Sequence, residues 1–346
     1  MYNSRMIIVI IAGGQGTRLW PLSKPEHPKH LLSLINDDSL LQNTINRVKS
    51  LTESIFIIPE ESHADKVQQQ LPEFANKLLI EPARRGTANC ILYALAKLKN
   101  KFSSDEVVVF LHADHHIGDI RSFKKAVDSA VKASDNLNKI TLIGVAPDYP
   151  ATGFGYIKSG EEIDSQNGVP VLKVEEFVEK PDEKTARKYL KSHQYLWNVG
   201  LFAGSIKTFE REIKKNNATM WERYNLLLKD KYDEYLNFPN EPIDTALIEK
   251  IDDLAVVPGK FDWADIGSFK DLYEILRNGE SNVHRGGVYD VDSKGSIVLA
   301  DKKPIITIGL EKMIVIDTPE GILVCPLDKC QLIKEGVEKL NSITNR

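Results

Sequence analysis

The chain is expected to fold as an α/β protein, with a mixed, mostly parallel sheet flanked by helices and a small β-rich part at its C-terminal end. Three observations lead there. Short apolar runs rich in β-branched residues alternate with stretches of helical periodicity from residue 6 to residue 145. Glycines and charged residues collect directly after several of those runs, where open α/β sheets bind their ligands. Beyond residue 277 the runs become shorter and are separated by turn residues, with one helical stretch at the end. A length of 346 residues favours about two domains. The boundaries read from the sequence are 1–277 and 278–346, with the glycine- and asparagine-rich stretch 278–287 as linker.

The elements follow in order. Met6 to Ile11 is apolar throughout, the signature of a strand buried on both faces. Leu40, Leu41, Ile45, Val48 and Leu51 recur at helical spacing behind Asp38 and Ser39, either of which can cap the helix. A strand at 55–58, a helix at 63–74, a strand at 77–80, a helix at 87–99 and a strand at 106–111 come next. The alternation continues with a helix at 123–134 and a strand at 140–145. Strands are then expected at 169–178, 195–202 and 254–257, and helices at 182–192, 206–215 and 221–229. After the linker, strands at 295–299, 305–308, 313–316 and 322–324 suggest a small β-solenoid-like domain suited to assembly.

The composition excludes several classes of partner. With 45 basic and 49 acidic residues the net charge is -4, and no block of like charge marks a nucleic-acid arm or a polybasic membrane segment. Cys90, Cys325 and Cys330 are odd in number and lack paired metal spacing, which fits a reduced, cytoplasmic setting. Arg5 followed by Met6 to Ala12 imitates a signal peptide, but the run is short and a cut at its end would fall beside a glycine loop. No stretch reaches membrane-spanning length.

That loop, Ala12-Gly13-Gly14-Gln15-Gly16-Thr17-Arg18, looks built for phosphate. Three glycines let backbone N–H groups approach an anion that side chains would block. Arg18 and Lys29 add positive charge. The dinucleotide fingerprint fails because Leu19 stands where the third glycine belongs, and a Walker loop fails because no Lys-Ser or Lys-Thr follows and Pro21 blocks an immediate helix.

Later loops carry further candidates. Glu81, Arg85 and Thr87 lie after the predicted strand at 77–80. A carboxylate and guanidiniums there suit guanine, whose N1–H and amine donate while O6 and N7 accept; a solvated loop with a Thr87 helix cap explains the same residues. His112-Ala113-Asp114-His115-His116 tempts a zinc reading, yet no further His or Cys in the segment completes a familiar site, and Asp114 reads better as a hard ligand for Mg²⁺. Gly153 and Gly155 can bring backbone against a sugar ring. Glu179 can accept from sugar hydroxyls and Lys180 can hold a sugar phosphate, although a surface ion pair before a helix is the plain alternative. Asn198 interrupts an apolar strand and needs a partner, either a sugar hydroxyl or a neighbouring loop. Asp265 sits in a tight loop before Gly267, where turn formation alone accounts for it.

Taken together, the glycine loop, Leu19-Trp20-Pro21-Leu22-Ser23 with Pro28-Lys29, Leu111 to His115, Gly153-Phe154-Gly155-Tyr156, Phe177-Val178-Glu179-Lys180-Pro181, Trp197-Asn198-Val199-Gly200 and Asp262-Trp263-Ala264-Asp265-Ile266-Gly267 resemble the sugar-phosphate nucleotidyltransferases. Leu19-Trp20-Pro21-Leu22-Ser23 followed by Pro28-Lys29 resembles their mannose-1-phosphate guanylyltransferase branch. The chain departs from the usual family pattern at Gly86, Asn89, His112 and Pro242. The resemblance implies a Rossmann-like nucleotidyltransferase domain acting on GTP and a hexose 1-phosphate, with Mg²⁺ and no organic cofactor, in a homodimer. It also implies that Arg18 and Lys29 are catalytic, that Asp265 joins Asp114 on the metal, and that Ala12, Gly13, Gly14, Gly16, Thr17, Glu81, Arg85 and Thr87 bind nucleotide. Gly155, Glu179, Lys180 and Asn198 are the implied sugar-phosphate residues. Another nucleotide or sugar phosphate, or an inactive regulatory subunit that senses nucleotide sugar, are the competing readings.

Overall fold

A computed structural model describes residues 5–14, 16–277 and 279–344; Gln15 of the loop and Asn278 of the linker lie outside them. The chain divides into two compact units. The first takes the described residues of Met1–Gly13 together with Thr44–Ala113 and Ile117–Trp263.

Eight strands build the sheet of the first unit: β1 (Met6–Ala12), β2 (Ile55–Pro59), β3 (Val107–His112), β4 (Thr141–Val145), β5 (Tyr156–Gln166), β6 (Val169–Val178), β7 (Tyr195–Ser205) and β8 (Ala255–Gly259). Their order is β2-β1-β3-β7-β4-β8-β6-β5. β1 pairs in parallel with β2 and β3, and β4 with β8. β7 runs antiparallel to β3, β4 and β5, and β6 antiparallel to β5 and β8. Six of the eight strands therefore share one direction, with β6 and β7 reversed. Every residue of β1 is buried, as its unbroken apolar run requires.

Helices cover both faces. Ile120–Leu137 starts at Asp119, whose Oδ1 accepts from Ser122 N at 3.0 Å, and lays Phe123, Val127, Ala130 and Val131 across β4, β7 and β8. Gly86–Lys99 is buried along most of its length and packs with Ala218–Leu228 and Ile243–Ala246.

The expected strand at 77–80 is not a continuous strand. Leu78 and Glu81 form isolated parallel bridges to Ile57 and Glu60, and the N–H groups of Leu79 and Glu81 donate to Ile57 and Pro59 (both 2.8 Å). Pro82 ends this edge pairing, since it has no N–H to give. The expected helix at 63–74 is likewise two pieces, Glu61–Gln70 and the 3₁₀ turn Pro72–Lys77, broken at Pro72 for the same reason.

The second unit comprises Gly14–Asn43, Asp114–His116 and the described residues of Ala264–Arg346. Its strands are β9 (Val283–Arg285), β10 (Val288–Val291), β11 (Ile297–Leu299), β12 (Ile305–Ile308), β13 (Met313–Thr318) and β14 (Gly321–Pro326). β9, β11 and β13 stack in parallel, as do β10 and β12, and only β14 returns antiparallel against β13. Such stacking is that of a short solenoid. Ile297, Leu299, Ile314 and Ile316 point inward and share a core with Leu19, Leu34, Ile266, Phe269 and Leu272. Helix Ile333–Thr344 closes the described chain.

Candidate functional site

Within the second unit, the glycine loop leads into a cluster of opposite charges. Gly14 and Gly16 have φ of 97° and 63°, and Gly16 precedes the 3₁₀ turn Thr17–Leu19. A Cβ on Gly16 would lie 2.7 Å from the Cβ of Lys29, so glycine is required there twice over, by backbone conformation and by space. The Ser23 hydroxyl donates to the Gly16 carbonyl and ties down the turn. Lys29 is only 8% exposed. Its Nζ lies 2.7 Å from Asp114 Oδ2 and 3.2 Å from Asp265 Oδ1, and donates to the Ile266 carbonyl at 2.8 Å. Burial alone would lower the Lys29 pKa, but the two carboxylates outweigh it and hold the ammonium above its ordinary value.

Asp114, His115 and Asp265 each bring a ligand atom within 4.8 Å of the others. Two carboxylates and one imidazole suit a divalent cation, so the residues present fit a metal; Lys29 now contacts one oxygen of each carboxylate. Arg18 is exposed and donates from Nη1 to Gln331 Oε1 at 3.3 Å. A Cβ on Gly267, two residues after Asp265, would lie 3.1 Å from Arg18 Nη2.

Two groupings belong to the first unit. Ala12 closes β1 opposite Pro59, with Gly13 after it. Glu81 is 5% exposed, accepts from Tyr235 Oη at 2.5 Å and, more weakly, from Arg85 N at 3.4 Å. Burial pushes its carboxyl up to about 7 against the pull of those two donors. Arg85 Nη2 donates to the Leu236 carbonyl, and Thr87 Oγ1 accepts from Ile243 N at 2.8 Å.

The second grouping centres on Asn198. Its backbone N–H donates to the Gly155 carbonyl at 2.8 Å, its Nδ2 donates to Asp244 Oδ1 at 2.9 Å, and its Oδ1 accepts from Gly200 N at 3.0 Å. Lys180, in the left-handed region at φ 48°, contacts Glu179 Oε1 at 2.5 Å, and its N–H donates to Phe154 O at 3.2 Å. Burial, and next the nearby Glu179 charge, push the Asp244 carboxyl up to about 6. Gly155, Glu179, Lys180 and Asn198 thus gather as a set.

Asp244 is not among the residues expected at the site, although the stretch that holds it, Ile243 to Glu249, resembles a family helix beside the sugar pocket. It stands in the apolar stretch Ile243-Asp244-Thr245-Ala246-Leu247, and a lone carboxylate there was the available signal. Asp271 was missed as well; its Oδ2 accepts from Gly267 N (3.1 Å) and Ser268 Oγ (2.8 Å) and shapes the turn behind Asp265.

The profile of the family described as nucleotidyl transferase matches residues 7–282, and that of the MannoseP isomerase/GMP-like beta-helix domain matches 286–340. A mannose-1-phosphate guanylyltransferase of Escherichia coli is 34% identical over 99% of this chain and 75% of its own length. The alginate biosynthesis protein AlgA of Pseudomonas aeruginosa is 33% identical over 97% of this chain and 72% of its own. A crystal structure from Thermus thermophilus, described as a mannose-1-phosphate geranyltransferase, superposes with a TM-score of 0.88 at 28% identity and covers 97% of this chain and 99% of that one. With its nucleotidyl transferase match, its β-helix match and its near full-length likeness to these relatives, the chain belongs to the mannose-1-phosphate guanylyltransferase group of the sugar-phosphate nucleotidyltransferase family.

Proposed function

We propose that the protein transfers GMP from GTP to α-D-mannose 1-phosphate, forming GDP-mannose and pyrophosphate. The observation that carries the chemistry is Lys29 bridging Asp114 and Asp265 in the unit that also holds Gly14, Gly16, Thr17 and Arg18. The names of the relatives carry the choice of substrates.

The sugar phosphate carries roughly -1.5 to -2 charge near neutral pH, taking a phosphomonoester as the guide, so its oxygen attacks the α-phosphate without a strong general base. Positioning and charge stabilisation then dominate. In this reading Ala12, Gly13, Gly14, Gly16 and Thr17 cradle the triphosphate, and Arg18 and Lys29 stabilise charge as pyrophosphate leaves. Glu81, Arg85 and Thr87 shape recognition of the base. Gly155, Glu179 and Asn198 hold the sugar, with Lys180 on its phosphate. A bound Mg²⁺, held by Asp114 and Asp265, supplies charge neutralisation and alignment at the phosphates.

A catalytic part at 1–277 and a C-terminal part at 278–346 belong to the proposal, supported by the family matches at 7–282 and 286–340. So does a homodimer, supported by the outward face of β10 and β12, where Tyr289, Val291, Ile306 and Ile308 are 56–71% exposed. A cytoplasmic setting is supported by the free thiols Cys90, Cys325 and Cys330. No helix among the described residues is long and apolar enough to cross a membrane.

Pyrophosphate release with Mg²⁺, pairing GTP, ATP, UTP, CTP and dTTP with mannose 1-phosphate and glucose 1-phosphate, tests the reading. Fastest release is expected for GTP with mannose 1-phosphate. Another productive pair keeps the reaction and overturns the substrates; no release from any pair by folded protein overturns the reaction.

A further inference from the structure

The loop at 81–89 and the Asn198 grouping are bound to one and the same segment, residues 235–244. At its start, Tyr235 donates to the Glu81 carboxylate at 2.5 Å. Next, the carbonyl of Leu236 accepts from Arg85 Nη2, and that of Pro239 from Asn89 Nδ2 at 2.7 Å. Glu241 pairs with the loop by backbone alone: its N–H donates to Arg85 O at 3.3 Å and its carbonyl accepts from Ala88 N at 3.1 Å. Ile243 N donates to Thr87 Oγ1 at 2.8 Å, and Asp244 then accepts from Asn198 Nδ2 at 2.9 Å.

The segment is braced from behind. Arg223, 8% exposed, donates to Asn89 Oδ1 at 3.0 Å and to Glu241 Oε2 at 2.8 Å, so one guanidinium holds loop and segment together. The fit leaves no slack at Gly86, which has φ 79° and whose Cβ would lie 2.2 Å from the Glu241 carbonyl oxygen. This gives two of the departures noted in the sequence a structural place: Gly86 gives room for Glu241, and Asn89 divides its amide between Arg85 O within the loop and Pro239 O on the segment. Hydrogen bonds at six successive points along ten residues make a displacement at one end felt at the other.

We infer that residues 235–244 form a positioning strap that sets the shape of the 81–89 loop and couples it to the Asn198–Asp244 pair, so that recognition of the nucleotide base and of the sugar are not independent. The inference rests on the function proposed above. Tyr235, Arg223 and the Thr87 hydroxyl act through other residues and are positioning residues, not catalytic ones.

The test is steady-state kinetics of Thr87→Val, Thr87→Ser and Tyr235→Phe, with GTP and mannose 1-phosphate varied in turn. Thr87→Val keeps the shape and removes the acceptor for Ile243 N, whereas Thr87→Ser keeps the acceptor. Thr87→Val and Tyr235→Phe are each expected to raise the KM of GTP roughly tenfold, the size of one lost buried hydrogen bond. They are also expected to raise the KM of mannose 1-phosphate several-fold with kcat nearly unchanged, and Thr87→Ser restores both. A general loss of structure would lower kcat through the active fraction and leave both KM values in place. A change confined to GTP, or no change in either KM, overturns the coupling; if Tyr235→Phe does not fold, the Thr87 pair decides alone. If wild-type enzyme turns over a different pair, that pair replaces these substrates; if none turns over, calorimetric affinities for GTP and mannose 1-phosphate replace the KM values, and failure of the wild type to bind either overturns both proposals.

Discussion

Replacing Lys29 by methionine separates the two jobs that its ammonium performs. The substitution keeps the length of the stem and removes the charge that lies 2.7 Å from Asp114 and 3.2 Å from Asp265. Breaking a buried ion pair by deleting one partner costs about 3–5 kcal/mol. The side chains of Lys29, Asp114 and Asp265 are 10%, 19% and 35% exposed, so water relieves part of the remaining carboxylate repulsion. A loss near the lower bound, about 3 kcal/mol, is the expected result. With an unfolding entropy of about 2.1 cal/mol/K per residue, a chain of 346 residues turns that into a fall in Tm of roughly 4 °C. Divalent cation should act in the opposite sense. With the ammonium gone, Mg²⁺ meets two carboxylates without a competitor, and ligand that binds only the folded state raises its stability. Thermal unfolding of both proteins in EDTA and in a Mg²⁺ series measures each effect. A variant as stable as wild type in EDTA, or one that gains no more from Mg²⁺ than wild type gains, would refute the reasoning about this cluster.

Three other outcomes are expected. Because the folded Glu81 carboxyl titrates at about 7 and the unfolded one near 4.5, the folded state holds the extra proton between those values, and stability falls as pH rises through that window. Wild type should therefore lose up to about 3 kcal/mol relative to Glu81→Gln between pH 4.5 and 8, measured by urea denaturation; a constant difference would show that the carboxyl is not raised. Arg18→Ala should lower kcat by roughly a hundredfold and leave the KM of mannose 1-phosphate nearly unchanged, in the same pyrophosphate assay; unchanged turnover removes Arg18 from the mechanism. The double substitution Ile306→Asp with Ile308→Asp should convert a dimer to monomer by light scattering while the far-ultraviolet circular dichroism stays that of wild type, and a dimer that survives it uses another face.

Much of the fold is local enough to read along the chain. The first strand is an unbroken apolar run, and such a run can be buried only inside a sheet covered on both sides. Expected strands at 169–178 and 305–308 coincide with β6 and β12, because alternation and turn residues fix both ends. The segment at 77–80 went differently because its apolar character does not tell an edge with two bridges from a full strand; the number of partners is a property of neighbours, not of sequence. The Asn198 grouping was half legible, since a lone amide in an apolar strand announces that it needs a partner, but not that the partner is Asp244.

The α/β order of elements, the glycine loop, and the residue types able to handle phosphate, metal and sugar can be read along the chain. Each of those rests on short-range rules of backbone freedom, periodicity and donor–acceptor chemistry. Folding is what lets Asp114 and Asp265 share Lys29, brings Asp244 to Asn198, and sets Tyr235 against Glu81. Those pairings join stretches far apart in the chain, and electrostatic and hydrogen-bond energies depend on distances of a few ångströms that no spacing along the chain encodes.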